Sequence, residues 1–283
     1  MHGRPLRDMV VAELSSDPNW KQAMLQVRIA VDLASLRQPL RKSLETAAQL
    51  GVEAVQLDAQ GEIFPGRLSQ TGIRHLRRLL DDLNLRVAAL CFKTRRGYNV
   101  TEQLDRRVEM TRQVMQLAYD LGSRVVTNHI GQVPGEPEGP EWDMLVDVLG
   151  QLGRHGQHVG AMLAATTGSE QPAHLKHLLE VLPDGVLNIH LDPGQLMVNG
   201  FSPGESATLL APYIAHVHAT DAVRDLARGR GEDTKLGTGS VDFAEILGLL
   251  EQHGYDGYIT AGRQSASNPV AEISEAIQYL RAF

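Results

Sequence analysis

His216-Val-His-Ala-Thr-Asp221, Leu236-Gly-Thr-Gly-Ser-Val-Asp242 and Gly257-Tyr-Ile-Thr-Ala-Gly262 decide the fold of this 283-residue chain. In order they read as a strand ending in a metal-capable histidine, a glycine-rich loop, a helix and a final strand. The last segment informs by what it lacks. No carboxylate stands at its end, where a four-ligand metal site would need one.

Working outward, β-branched runs alternate with amphipathic stretches from Val27 onward. The spacing predicts strands at Val27–Leu33, Ala54–Asp58, Arg86–Phe92, Arg124–His129, His158–Ala165, Val186–Asp192, Ile214–His218 and Gly257–Ala261. Between them it predicts helices at Leu40–Leu50, stopped by Gly51, then Gln70–Leu83 and Thr101–Leu121, with Thr101 as cap. Further helices follow at Glu141–Arg154, Pro172–Val181, Pro203–Leu210, Asp242–His253 and Pro269–Phe283. Eight strands, each followed by a helix, close a parallel barrel, so the fold class is α/β, a single (β/α)8 TIM barrel. A doubly wound open sheet would place a glycine-rich turn after the first strand. The chain reads Asp32-Leu-Ala-Ser-Leu-Arg37 there. Residues 1–26 form an N-terminal extension, with a short helix expected over Asp17–Gln26, and 27–283 form the barrel.

Composition narrows the function classes. The net charge of −7 argues against a nucleic-acid or anionic-membrane partner, and 42% hydrophobic residues supply a large, mainly aliphatic core. No apolar run approaches the roughly 20 residues that span a bilayer. The longest apolar run of the first 26 residues, Met9-Val-Val-Ala12, is too short for a signal-peptide core. One cysteine, Cys91, excludes an internal disulfide, fits a reducing, cytoplasmic setting, and lies in an apolar run as a packed thiol. A homo-oligomer is left open.

Barrel chemistry sits where strands end. Those positions hold Asp32, Gln56, Asp58, Cys91, Lys93, Thr127, His129, Ala165, His190, Asp192 with Gln195 beyond, His216, His218 with Asp221 beyond, Gly262 and Arg263. Side chains alternate along a strand, so His216 shares a face with His218, and His190 with Asp192. If those faces point inward, Asp192, His218 and His129 converge in one polar cup. His216 and His190, one layer deeper, read as structural. Asp221 reads as a loop anchor and Asp242 as a helix cap, while Asp192 divides between ligand contact and holding the Gly194 turn.

Leu191-Asp-Pro-Gly-Gln195, His216–Asp221, Leu236–Asp242 and Gly254-Tyr-Asp-Gly-Tyr-Ile259, in this order, resemble the xylose isomerase-like barrel superfamily, the sugar phosphate isomerase/epimerase and endonuclease IV-like group. The resemblance covers Val27 to Phe283. It implies one divalent ion (Mn²⁺, Mg²⁺ or Co²⁺) held by Glu, Asp, His and Glu at the ends of the fifth to eighth barrel strands, with the two glutamates exchanging protons. Mapped by motif, Asp192 and His218 are retained, Ala165 and Gly262 replace the glutamates, and Gln195 replaces a histidine. Losing two carboxylates removes both the affinity for a hard cation and the acid/base pair, so no cofactor is expected. Cations crowd several loops of the same rim: Lys93, Arg95 and Arg96, then Arg224, Arg228, Arg230 and Lys235, then Arg263. They point to an anionic ligand, with Arg263 placed to fill the space and charge role of the metal.

The resulting expectation is a sugar phosphate isomerase/epimerase-like barrel that binds a small polyhydroxylated or acidic metabolite. Asp192 and His218 are the candidate catalytic residues, and His129, Lys93, Arg263 and Gln195 the ligand contacts. The alternative is a binding or regulatory member that has lost the reaction. A nuclease would need more metal ligands and a basic footprint.

Overall fold

The computed structural model describes residues 27–225 and 229–283. The expected helix over Asp17–Gln26, and Arg228, lie outside the described residues. Eight parallel strands close one barrel: β1 (Arg28–Asp32), β2 (Ala54–Asp58), β3 (Arg86–Cys91), β4 (Val125–Asn128), β5 (Met162–Thr166), β6 (Leu187–Leu191), β7 (Ile214–Ala219) and β10 (Tyr258–Ala261). Each pairs with its neighbour in sequence order, and β10 closes onto β1 through Arg28↔Tyr258 to Val31↔Ala261. An antiparallel hairpin, β8 (Asp221–Val223) with β9 (Glu232–Thr234), rises from the loop after β7. That hairpin is absent from the sequence reading.

The helices are α1 (Leu33–Leu36), α2 (Leu40–Gln49), α3 (Gln70–Asp82), α4 (Leu104–Asp120), α5 (Pro140–Val159), α6 (Pro172–Val181), α7 (Pro193–Val198), α8 (Pro203–Leu210), α9 (Phe243–Gln252) and α10 (Pro269–Leu280). Their starts follow from local chemistry. Ser69 Oγ accepts the Gly72 N–H at the head of α3, and Asp242 Oδ1 accepts the Glu245 N–H at 3.0 Å at the head of α9, as expected of that residue. The buried faces repeat at helical spacing, as with Ile73, Leu76 and Leu80 of α3.

Two expected boundaries are corrected. Thr101 does not cap α4; the N-cap is Gln103, in the left-handed region at φ 54, with no side-chain cap bond. The fifth strand does not begin at His158. Helix α5 runs on to Val159 and ends at Gly160, whose φ of 91 suits only glycine well. The extra turn fits because Gly153 and Gly156 lie against the barrel. A Cβ on Gly153 would come within 2.3 Å of Val186, and one on Gly156 within 2.5 Å of the Ala161 carbonyl.

Aliphatic side chains fill the layer between sheet and helices, Val31, Val55, Leu90, Val126, Leu163, Ile189 and Val217 among them. The inward residues alternate with these. At the carboxyl ends of the strands they are polar, and that alternation builds the site.

Candidate active site

The carboxyl ends of the strands enclose a cavity of about 320 Å³. Asp32, Gln56, Asp58, Cys91, Thr127, Thr166, His190, Asp192, His218 and Gly262 line it from the strand ends. Lys93, His129 and Arg263 reach it from the loops, and Gln195 from the first turn of α7. Every residue singled out from the sequence as catalytic or ligand-binding therefore borders one cup. Asp32, Asp58 and Thr166 border it too, although the sequence reading gave them no role. Asp32 and Asp58 had the signal of a strand-end position, whereas Thr166 lies one residue past the expected end of its strand.

That register corrects one assignment. Ala165 is fully buried in the layer facing the helices, whereas Thr166 lines the cup and its Oγ1 lies 3.0 Å from His190 Nδ1. The inward position at the end of the fifth barrel strand is thus a threonine. A slip of one residue exchanges the two faces of a strand.

Asp192 holds the turn at Gly194 and also lines the cup. Its Oδ1 accepts the Gln195 N–H at 3.0 Å, which starts α7, and also accepts the Thr220 hydroxyl. Its Oδ2 lies 3.8 Å from His218 Nδ1. Below them His190 and His218 stack with ring centroids 6.0 Å apart, and His190 and His216 lie 5.2 Å apart. Burial, then repulsion from the neighbouring imidazoles, pushes the His190 pKa well below its ordinary value. Burial and His218 lower His216 to about 3. Both rings are neutral at neutral pH. His216 Nε2 lies 3.1 Å from Gln56 Oε1 and 2.9 Å from Thr260 Oγ1, which gives it the structural role expected.

On the facing wall, burial raises the Asp58 pKa, opposed by the nearby Lys93 ammonium. Burial first, then Asp58, pushes Cys91 up to about 12, so the thiol stays protonated. Four buried atoms of cup residues have no hydrogen-bond partner among the described residues: Asp58 Oδ1, Thr127 Oγ1, His190 Nε2 and His218 Nε2. Such atoms cost stability unless water or a ligand meets them.

Arg263 borders the cup, but its charge is already matched. It donates to Glu272 Oε2 at 2.6 Å, to Asp233 Oδ1 at 3.2 Å and to the Asp233 carbonyl at 3.0 Å. Asp221 is an anchor, as expected: its carboxylate accepts the N–H groups of Ala222, Gly237, Gly239 and Val241 at 2.8–3.1 Å.

Residues 44–283 match the family model described as the xylose isomerase-like TIM barrel. The chain belongs to that family. Among its relatives, an inosose dehydratase of Bacillus thuringiensis (strain Al Hakam) is 23% identical over 239 residues, covering 73% of this chain and 79% of the relative. A xylose isomerase domain protein from Planctomyces limnophilus superposes with a TM-score of 0.80 at 26% identity, over 90% of this chain and 95% of that one. An L-ribulose 3-epimerase shares the fold with a TM-score of 0.73 at 18% identity, over 91% and 94% of the two chains.

The divalent centre implied by the family resemblance can be tested against the residues present, and they do not fit it. The four inward strand ends hold Thr166, Asp192, His218 and Gly262, of which only two carry ligand groups for a hard ion. At Gly262 even a Cβ would meet Asp32 Cβ at 2.7 Å, Ser35 Oγ at 2.8 Å and His218 Nε2 at 2.9 Å. The place of a fourth ligand is filled by the Asp32–Ser35 pair, joined by a 2.7 Å hydrogen bond. Among the described residues no three His, Cys, Asp or Glu side chains gather as metal ligands. No helix of the described residues is long and apolar enough to cross a membrane.

Proposed function

We propose that this protein binds a small polyhydroxylated carbonyl compound in the cup and moves a proton on it without a bound divalent metal. The observation that carries the reading is a cavity lined by polar side chains at the strand ends, Asp58, Thr127 and His190 among them, that also holds the Asp192–His218 pair. Hydroxyls both donate and accept, so a polyol can satisfy carboxylate, imidazole and threonine atoms together. His218 and Asp192 form the base on one wall, with Asp192 Oδ2 3.8 Å from His218 Nδ1. Asp58, with its raised pKa, is the group suited to hold a proton on the other. Proton transfer next to a carbonyl is common ground between dehydration and epimerisation, the reactions in the names of the inosose dehydratase and the epimerase. Thr166 and Gly262, standing where the family resemblance implies carboxylates, favour a second reading: a binding member that has lost the reaction.

One experiment separates the two. Ketoses, inososes and sugar acids are incubated with the protein in D2O, with and without EDTA, and deuterium entry at carbon is followed by NMR. The proposal expects exchange that EDTA leaves unchanged and that Asp192→Asn slows by about 10²–10⁴-fold. Exchange abolished by EDTA and restored by Mn²⁺, Mg²⁺ or Co²⁺ would return the metal-dependent reaction. Thermal stabilisation by a compound that never exchanges would establish the binding member.

A further inference from the structure

Beside the cup, a second cavity of about 370 Å³ opens between the β3–α4 loop and the first turn of α4. The two cavities share Phe92 and Lys93 as lining residues, so they adjoin along that edge. The annex is lined by five cations, Lys93, Arg95, Arg96, Arg106 and Arg107, and by one carboxylate, Glu102. On a chain of net charge −7 this local excess stands out.

The single carboxylate does not neutralise it. Glu102 is paired with Arg96, and among the described residues Arg95 and Arg106 pair with no carboxylate. Arg107 is fixed by donating to the carbonyls of Val100 and Glu102, and its pKa is lowered by burial and then by Arg96. The head of α4 adds positive potential, because its N-cap Gln103 lines the annex and its side chain caps none of the first N–H groups. The acidic residue of that turn, Asp105, is not among the lining side chains.

The loop carrying Lys93, Arg95 and Arg96 is built into the protein. Tyr98 is fully buried, its hydroxyl 2.7 Å from Thr111 Oγ1 and accepting from Asn128 Nδ2 at 3.1 Å. Thr94 Oγ1 donates to the His129 carbonyl at 2.8 Å. Gly97 packs so tightly on Gly131 that a Cβ there would lie 2.3 Å from the Gly131 Cα. Cations on a fixed loop lose less freedom when an anion binds.

We propose that the annex is the subsite for a dianionic group of the phosphate class, carried by the ligand whose polyhydroxylated part lies in the cup. The attachment to a polyol rests on the reading of the cup given above. The anion site itself rests on the annex alone. Anion recognition is thereby assigned to the β3 side of the rim and taken away from Arg263, whose two carboxylates already match its charge.

The test uses pairs that differ by one phosphate, D-fructose with D-fructose 6-phosphate and myo-inositol with its 1-phosphate, and inorganic phosphate alone. Dissociation constants are measured by calorimetry at low and high salt, for wild type, Arg95→Ala/Arg106→Ala and Asp192→Asn. Both arginines are exposed, so removing them leaves the fold intact. The expected result is that at least one phosphorylated member binds about tenfold or more tightly than its parent. Salt should weaken that advantage and the double variant should abolish it, while the parent's affinity stays unchanged. If parent and phosphate bind alike in wild type and both weaken in Asp192→Asn, the annex fails and the cup stands. If the advantage survives while Asp192→Asn changes neither constant, the cup reading fails and the anion site stands. No binding of any phosphorylated member at millimolar concentration, or inorganic phosphate binding as tightly as the sugar phosphates, overturns the proposal.

Discussion

On the β10 side of the cup, Arg263 reaches Asp233 in the hairpin and Glu272 in α10, and its guanidinium ties those elements together. On the β3 side, Arg95 and Arg106 stand exposed on the wall of an open cavity, with no carboxylate opposite them among the described residues. The residue type is the same and both groups border the rim, yet one set is committed to the fold and the other is available to a ligand. What divides them is the position of the carboxylates. Around Arg263 the acids outnumber the cation, and in the annex the cations outnumber the acid. An arginine at a barrel rim therefore says little about anion binding until its partners are known.

The committed side should show its commitment as stability. Asp221 is the extreme case, with a nearly buried carboxylate accepting four backbone N–H groups that shape the hairpin and the glycine loop. Asp221→Ala strands those donors and should cost about 3–5 kcal/mol, read by urea unfolding. A loss below about 1 kcal/mol would mean that the loop holds its shape without the carboxylate.

Arg263→Ala comes next, at about 2–3 kcal/mol, because Glu272 is only 6% exposed and would keep just its bonds from Ser267 and Asn268. A pH signature accompanies it. Burial pushes the Glu272 pKa up, but hydrogen bonds from Arg263, Asn268 and Ser267 outweigh that and hold it at about 2. The folded pKa lies below the ordinary value of 4.5, so this stabilisation is present above pH 4.5 and lost as pH falls through about 2. In Arg263→Ala that acid-labile part should shrink. An unchanged acid limb would detach Glu272 from Arg263. Arg263→Lys should recover only part of the loss, since a lysine lacks the forked geometry that meets both acids.

Between the two walls, the buried histidines add a slope of their own. His216 has a folded pKa of about 3 against an ordinary 6.5, so the unfolded chain takes up the proton first as pH falls. Stability should therefore drop below pH 6.5, by about 1.4 kcal/mol per pH unit for this one group, until about pH 3. His216→Gln should flatten the curve by that amount whatever it does to stability at neutral pH. A slope unchanged by the substitution would show that His216 is not the buried neutral group.

These regions also differ in how much of them could be read in the sequence. The barrel was legible because eight runs of period-two and apolar residues alternate with amphipathic helices, and that pattern is dictated by burial on both faces of a parallel sheet. The cup was legible for the same reason, since Asp192 and His218 had to face inward if His190 and His216 did. Ala165 was misplaced because the run Leu163-Ala-Ala-Thr-Thr167 ends in two adjacent threonines, one on each face, so polarity does not mark which is inward, and one residue of slip exchanged Ala165 for Thr166. The hairpin has three residues on each strand, too few for any periodicity. Its Asp233 is 30 residues from Arg263, so the pairing that matches the charge of Arg263 depends on a tertiary fold that local patterns do not encode. The annex had the opposite history. Lys93, Arg95 and Arg96 were visible as a cluster, but the helix-borne Arg106 and Arg107 become their neighbours only when α4 packs behind the β3 loop.

The smallest expected effect makes the sharpest use of the comparison. Arg95→Ala and Arg106→Ala should each change stability by less than about 0.5 kcal/mol, because an exposed cation with no opposing carboxylate gives up no ion pair when it is removed. Relief of repulsion among the five cations should even raise stability slightly at low salt, and the gain should vanish as salt screens the annex. The measurement is urea unfolding of each variant at two salt concentrations, alongside Arg263→Ala under the same conditions. If Arg95 or Arg106 proved as costly to remove as Arg263, the annex cations would be structural, and the contrast between the two walls would collapse. If they are neutral or better in the free protein, their retention beside the cup has no explanation in the fold. The two arginines are then free of structural demand, and the phosphate pairs test directly whether a ligand uses them.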